Sequence, residues 1–197
     1  MLDLLKLRHA IAVIVCEGET DKAVAGEIAA KLGVSGLLFL PARGIDTIPD
    51  ILEMLVALIR VVRKVRSIVV VVDGEDVSSP LERARRIRDS LVSRFASRGI
   101  NAEIAEPQPA GAQLYEISVR YENRDVSLFI AVSGDFSKSS PRRAIEDHCI
   151  KLLGSAPQDK DKLYQPCLDA IKRENVETVC NAFPHICAAL RAVGQSD

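Results

Sequence analysis

One run of residues constrains the fold of this chain more than any other: Ser67–Asp73, which reads Ser-Ile-Val-Val-Val-Val-Asp. Five consecutive β-branched residues favour a strand, and a strand that is apolar on both faces must be covered on both faces. Such strands lie in the middle of parallel sheets with helices on each side. The run therefore predicts a central strand of an α/β sheet, and it ends at an acidic residue.

Predicted strands and helices alternate around this run. Ile11–Cys16 is a second continuous apolar run, and Leu37–Leu40 is a third, shorter one. Helical periodicity separates the three runs, and a helix that begins with the Ser79 cap and Pro80 follows the central strand. Alternating strands and helices predict a mostly parallel sheet that is flanked by helices on both faces.

The alternation ends with a fourth predicted strand, Asn101–Glu106, which we also expect in the parallel sheet. Pro107–Gly111 is predicted as a loop. Leu114–Tyr121 and Val126–Val132 are also predicted strands, and the connection between them is too short for a crossover helix. These two strands must therefore form an antiparallel hairpin. Beyond the hairpin, the sequence shows only helical patterning and polar loops.

Two regions follow from this order of elements. We predict an α/β domain over 1–135, which includes the hairpin at 114–132, and a C-terminal helical extension over 136–197. No apolar run reaches the length of a bilayer span. The N-terminus is too short and too charged for a signal peptide. We therefore expect a cytoplasmic protein that does not contact a membrane.

Five cysteines bear on this expectation: Cys16, Cys149, Cys167, Cys180 and Cys187. No two of them have C-x-x-C spacing, which argues against zinc. Cys180 and Cys187 lie on one predicted helix, about 10 Å apart along its axis, so the spacing predicts that they cannot bridge each other. An odd number of cysteines favours a reducing cytosol, and we expect all five to be core residues.

Acidic residues follow two of the predicted strands. Glu17 and Asp21 follow the first strand, and Asp73, Glu75 and Asp76 follow the central one. The carboxyl ends of parallel strands are where α/β sheets build their sites. Converging carboxylates repel one another unless a cation neutralises them, and Mg²⁺ prefers oxygen ligands. Taken alone, the acids after the first strand are explained as a helix start stabilised by the helix dipole, and those after the central strand as a turn. The two sets together favour a Mg²⁺ site.

The pattern Glu17-Gly18-x-x-Asp21 after one strand and Asp73-x-Glu75 after another resembles the Toprim family. That family includes type IA topoisomerases, bacterial-type primases, recombination mediators and OLD-family nucleases. The resemblance spans about Ile11–Glu106. It implies a compact parallel α/β fold in which these acids hold Mg²⁺, with Mn²⁺ as a substitute.

The resemblance also implies roles for individual residues. Glu17 takes the place of the family's Glu, which acts as an acid/base or metal ligand. Asp73 takes the place of the first Asp of the family's acidic pair, and Glu75 stands where the family has a second Asp. Asp76 competes with Glu75 for that role. Asp21 matches an additional acid of the OLD-like and small stand-alone members, which are the nearest relatives that the pattern indicates.

Basic residues suggest where nucleic acid would bind. The whole chain has a net charge of −1, but the stretch 60–98 holds ten basic residues against five acidic ones. Arg83 and Arg86, on the helix after the central strand, are candidates to follow a phosphate backbone. Lys138, in the loop after the hairpin, is a candidate to contact a phosphate. Solvated helix faces and a solvated loop lysine are the plainer interpretations.

Three functions are consistent with these features. The first is a Mg²⁺-dependent, nuclease-like Toprim protein that acts on DNA or RNA phosphodiesters, with Glu17 catalytic and the other acids as metal ligands. The second is a non-catalytic Toprim-like module that binds Mg²⁺ and docks a protein partner in DNA or RNA metabolism. The third is a receiver domain that is phosphorylated on Asp73, which fits less well because the chain is long. A homo-oligomer is compatible with each function.

Overall fold

The computed structural model describes residues 4–59, 62, 64–137, 143–155 and 163–194. These residues form one seven-stranded sheet. Its strands are β1 (Ala12–Cys16), β2 (Leu37–Pro41), β3 (Ser67–Asp73), β4 (Ala102–Ile104), β5 (Gln108–Gly111), β6 (Leu114–Tyr121) and β7 (Arg124–Ser133). The helices in the same residues are α1 (Leu4–His9), α2 (Glu19–Leu32), α3 (Ile48–Ile59), α4 (Pro80–Ser97), α5 (Ile145–Leu153), α6 (Tyr164–Arg173), α7 (Val176–Ala182) and α8 (Pro184–Gly194).

The strands are ordered β2-β1-β3-β7-β6-β4, and β5 pairs with β6. Strands β2, β1, β3 and β7 are parallel neighbours, whereas β6 pairs antiparallel with β7, β4 and β5. Strand β3 lies in the middle and is buried from Ser67 to Val72. The predicted α/β class, the mostly parallel sheet and the antiparallel hairpin are confirmed.

Two details of the sheet differ from the sequence prediction. Residues Gln108–Gly111, predicted to be loop, form β5, which pairs only with β6. Pro109 is tolerated there because a strand with one pairing neighbour does not need every backbone N–H. Strand β4 does not join the parallel group, since the hairpin inserts β7 beside β3 and leaves β4 to pair with β6.

Each face of the sheet is covered by its own apolar cluster. Along β1, Ile14 points into one cluster, while Val13 and Val15 point into the other, as the twofold repeat of a strand requires. Helices α2 and α5–α8 supply the first cluster, and α1, α3 and α4 supply the second. The described C-terminal helices thus share a core with α2, and the division at residue 135 stays a prediction.

The prediction that Cys180 and Cys187 cannot bridge is wrong. They form a disulfide with their Cα atoms 5.5 Å apart. The expected continuous helix ends at Ala182, and a new helix begins at Pro184. Proline interrupts a helix but suits its first position, so the two cysteines lie on two helices that turn back on each other.

A second disulfide, Cys149–Cys167, joins α5 to α6, and Cys16 remains as a buried free thiol. The five cysteines are therefore not all simple core residues. Disulfides are uncommon in a reducing cytosol, so the cytoplasmic location stays a prediction. Among the described residues, no helix has both the length and the apolar character that a membrane span needs.

Candidate acidic site

The site lies where the chain changes direction across the sheet. From β1 the chain passes through α2 to β2 on one side, and it returns through α3 to β3 on the other side. The two helices belong to the clusters on opposite faces. Ligands of open α/β sheets bind in the crevice at the carboxyl ends of the strands at such a point. Glu17 directly follows β1, and Asp73 ends β3.

Glu17 and Asp73 are held by backbone N–H groups at this edge. Glu17 Oε2 accepts a hydrogen bond from the Asp73 N–H at 3.1 Å. Asp73 Oδ1 accepts one from the N–H of Ile145, the first residue of α5, at 3.0 Å. The positive end of the α5 dipole thus lies against the Asp73 carboxylate, which favours its charged form. Strand β1, strand β3 and helix α5 meet at these two acids.

Asp21 enters the site because α2 begins immediately after the glycine that follows β1. Helix α2 starts at Glu19, with Gly18 as its N-cap. Asp21 Oδ2 accepts a hydrogen bond from the Gly18 N–H at 3.0 Å. The residue is only 6% exposed, and among the residues that the structure describes Oδ1 has no hydrogen-bond partner. A buried, unpaired carboxylate oxygen is costly unless a cation or another donor meets it.

Burial, and after it the charges of nearby acids, raises the pKa values of Glu17, Asp21 and Asp73. Burial raises the pKa of Asp73 to about 9, with further contributions from the negative charges of Asp21, Glu17 and Glu146. Burial, followed by the charges of Glu17 and Glu146, raises the pKa of Asp21 to about 7. The pKa of Glu17 is also raised, mainly by burial. The site therefore favours neutral acids or a bound positive charge.

Glu146 and Tyr164 join the site from the C-terminal helices. Glu146 lies in the first turn of α5, and the Tyr164 hydroxyl donates a hydrogen bond to its carboxylate. Burial and this hydrogen bond raise the pKa of Tyr164 above its usual range, so the hydroxyl remains a donor. In the sequence, Glu146 is only an acid near the start of a predicted helix, and no motif marks Tyr164.

Glu75 and Asp76 are placed differently from the other predicted ligands. Both are exposed, in a turn where Asp76 has a φ of +58°. The Arg83 guanidinium donates hydrogen bonds to the backbone carbonyls of Asp73, at 2.9 Å, and Glu75. The turn is thus held through its backbone while its carboxylates face solvent. Glu75 remains close enough for its charge to raise the pKa of Glu17.

The predicted phosphate contacts also differ in their surroundings. Arg83 is only 8% exposed and is occupied by the backbone of the turn after β3. Arg86 is exposed and forms an ion pair with Glu82 at 2.5 Å. Both arginines line a cavity of about 430 Å³ between α3 and α4. Lys138 lies outside the described residues.

The donor set fits a hard cation, although its side chains are not arranged as a completed metal site. In the part of the chain that the structure describes, no group of three His, Cys, Asp or Glu side chains is positioned to hold an ion. The fit rests on Asp21 Oδ1. This buried carboxylate oxygen lies near other carboxylates and has no hydrogen-bond partner among the described residues. Comparisons of the chain with protein-family models, curated proteins and solved structures found no match.

Proposed function

We propose that this chain is a Mg²⁺-dependent, Toprim-like enzyme that acts on nucleic-acid phosphodiesters. The observation that carries the proposal is the partnerless, buried Asp21 Oδ1 beside Glu17 and Asp73. Carboxylates that raise one another's pKa values gain free energy when a cation neutralises them. Oxygen ligands at the edge of an α/β sheet suit Mg²⁺, and Mn²⁺ accepts the same ligands.

The residues divide the chemistry between them. Asp73 and Asp21 would hold the ion, with Glu75 or Asp76 available from the exposed turn. A bound Mg²⁺ supplies a positive charge that polarises a phosphoryl oxygen and lowers the pKa of a water molecule. The raised pKa of Glu17 makes its carboxylate a stronger base than an ordinary Glu. Glu17 is therefore suited to accept the proton of the attacking water.

The proposal is tested by incubating the chain with DNA and with RNA, in Mg²⁺, in Mn²⁺ and in a chelator. We expect metal-dependent cleavage, and we expect Glu17→Gln to reduce its rate by about 100-fold or more, because a general base contributes at least that factor. Glu19→Gln is the matched control, since it removes a nearby but exposed acid that pairs with Lys22 at 2.9 Å. Its rate should equal that of the unaltered chain.

Two outcomes would contradict parts of the proposal. Cleavage that Glu17→Gln leaves unchanged would exclude the assigned mechanism. Binding of Mg²⁺ without cleavage of any nucleic acid would exclude the enzyme and favour the non-catalytic module that docks a protein partner. Binding is measured without activity as the rise in thermal unfolding temperature on adding Mg²⁺, because a ligand that binds only the folded chain stabilises it.

A further inference from the structure

We propose that Glu146 is a fourth carboxylate of the acidic site and that Tyr164 is the residue that positions it. This inference rests on the proposed Mg²⁺ site and extends it to helices α5 and α6, which lie outside the span of the Toprim resemblance. On this view the C-terminal helices complete the site rather than only covering the sheet.

Helix α5 begins at the acidic edge. The N–H of Ile145 bonds to Asp73 Oδ1 at 3.0 Å, and the Ile145 side chain is buried in the core. The beginning of α5 is therefore anchored at the acidic edge by one polar and one apolar contact. Glu146 is the next residue, so its Cα is fixed beside the acid that ends β3.

Glu146 has a hydrogen-bond partner on the neighbouring helix α6. The hydroxyl of Tyr164, the first residue of α6, donates to Glu146 Oε1. Three residues further along each helix, Cys149 is bonded to Cys167. One hydrogen bond and one covalent bond thus connect α5 to α6 on the same side, one turn apart. This arrangement orients the Glu146 side chain, since the helix that carries its donor cannot move independently.

Glu146 lies close to acids from two other elements. It directly follows Ile145, whose N–H bonds to Asp73 Oδ1 at 3.0 Å, and it is near enough for its charge to act on both Asp73, on β3, and Asp21, on α2. Asp21 Oδ1, in a residue that is more than nine-tenths buried, has no hydrogen-bond partner among the described residues. An acid that served only the α5 dipole would avoid two nearby carboxylates, because like charges destabilise one another. A cation shared by the group accounts for both observations.

The test measures Mg²⁺ affinity through thermal unfolding of the full chain at increasing Mg²⁺ concentration. The midpoint of this titration is the Mg²⁺ concentration that gives half of the maximal rise in unfolding temperature. We expect Glu146→Gln and Tyr164→Phe each to raise this midpoint by about tenfold or more, as for other residues that orient metal ligands. For Tyr164→Phe, cleavage at saturating Mg²⁺ should recover to within about threefold, as expected when only the position of a ligand is lost. Two control variants should keep the midpoint of the unaltered chain. Asp147→Asn removes a charge from the same turn of α5, and Tyr115→Phe removes a hydroxyl from strand β6.

The outcomes separate this inference from the proposed function. If the unaltered chain responds to Mg²⁺ and both variants show the same midpoint, Glu146 and Tyr164 are outside the site and the inference is wrong, while the proposed function stands. If the variants unfold at a lower temperature in chelator but keep that midpoint, the inference is also wrong, because Glu146 and Tyr164 then only stabilise the fold. If the unaltered chain shows no response to Mg²⁺, the proposed site itself is wrong, and the inference falls with it.

Discussion

The loops after β1 and β3 look alike in sequence but contribute differently to the site. Each has an acid, a glycine and a second acid in succession. After β1, helix α2 begins at Glu19, and its first turn carries Asp21 into the interior. After β3, helix α4 begins only at Pro80, and the intervening turn leaves Glu75 and Asp76 exposed. The number of residues between the strand and the next helix thus decides which acids are carried into the interior.

The loop after β3 is organised around its backbone rather than its side chains. The Gly74 N–H donates to the Ser133 carbonyl at 2.9 Å, which extends the pairing of β3 and β7 by one bond. Arg83 holds the carbonyls on either side of Gly74. Of the acids in this region, Asp73 is half-buried and Glu75 and Asp76 are exposed, whereas Glu17 is half-buried and Asp21 is buried after β1.

The largest expected difference between the loops is catalytic. At a Mg²⁺ concentration below saturation, we expect Asp21→Asn to reduce phosphodiester cleavage by about 100-fold, and Glu75→Gln by less than about tenfold. The reason is that Asp21 is buried with an unpaired oxygen, while Glu75 is exposed. Initial rates on one substrate measure both effects. Equal losses would show that the turn after β3 reorganises to bring Glu75 into the site.

The next difference concerns stability against pH in a chelator. Asp21 and Asp73 have folded-state pKa values of about 7 and about 9, above the ordinary value of 3.8. Above about pH 4 the folded chain keeps protons that the unfolded chain has released, so the free energy of unfolding falls as pH rises through both values. We expect the free energy of unfolding to fall steadily between pH 5 and pH 9, because each of the two acids then loses in the folded chain a proton that the unfolded chain has already released.

Urea unfolding at several pH values measures this slope. Asp21→Asn and Asp73→Asn should each flatten it, because an amide does not titrate. Glu75→Gln, in the exposed turn, serves as the control and should leave it unchanged. A slope that is the same in all four proteins would mean that the buried acids of the two loops do not titrate between those limits.

The smallest difference is expected at the two glycines. A Cβ on Gly74 would lie 2.9 Å from Phe136 Cε2 and 3.0 Å from the Ser133 carbonyl oxygen, so either the ring or the strand pairing must shift. A Cβ on Gly18 would meet only Asp21 Oδ2, at 3.2 Å. We expect Gly74→Ala to cost about 1–3 kcal/mol, as overpacked sites do. Gly18→Ala should cost less than about 1 kcal/mol, as at an N-cap. Denaturant midpoints check the order, and the reverse order would contradict this account of the two loops.

The sequence by itself determined the features that depend on neighbouring residues. The β-branched run of Ser67–Asp73 specifies a strand covered on both faces, and it is the central strand. The short connection after Tyr121 specifies a hairpin. The positions of Glu17 and Asp73 at strand ends follow from the same patterns, because parallel strands align their carboxyl ends. Side-chain alternation and turn length depend on only a few neighbouring residues. Strands and hairpins can therefore be predicted without knowledge of the rest of the chain.

Only the tertiary structure decided which side chains share the site. Glu146 and Tyr164 lie near enough to Asp21 and Asp73 for their charges to interact, because α5 and α6 pack on the same face of the sheet as α2. The two disulfides and the exposure of Glu75 were settled in the same way, by where the helices begin and pack. Burial and charge repulsion act between groups distant in the chain, and they arise only when the folded core brings those groups together.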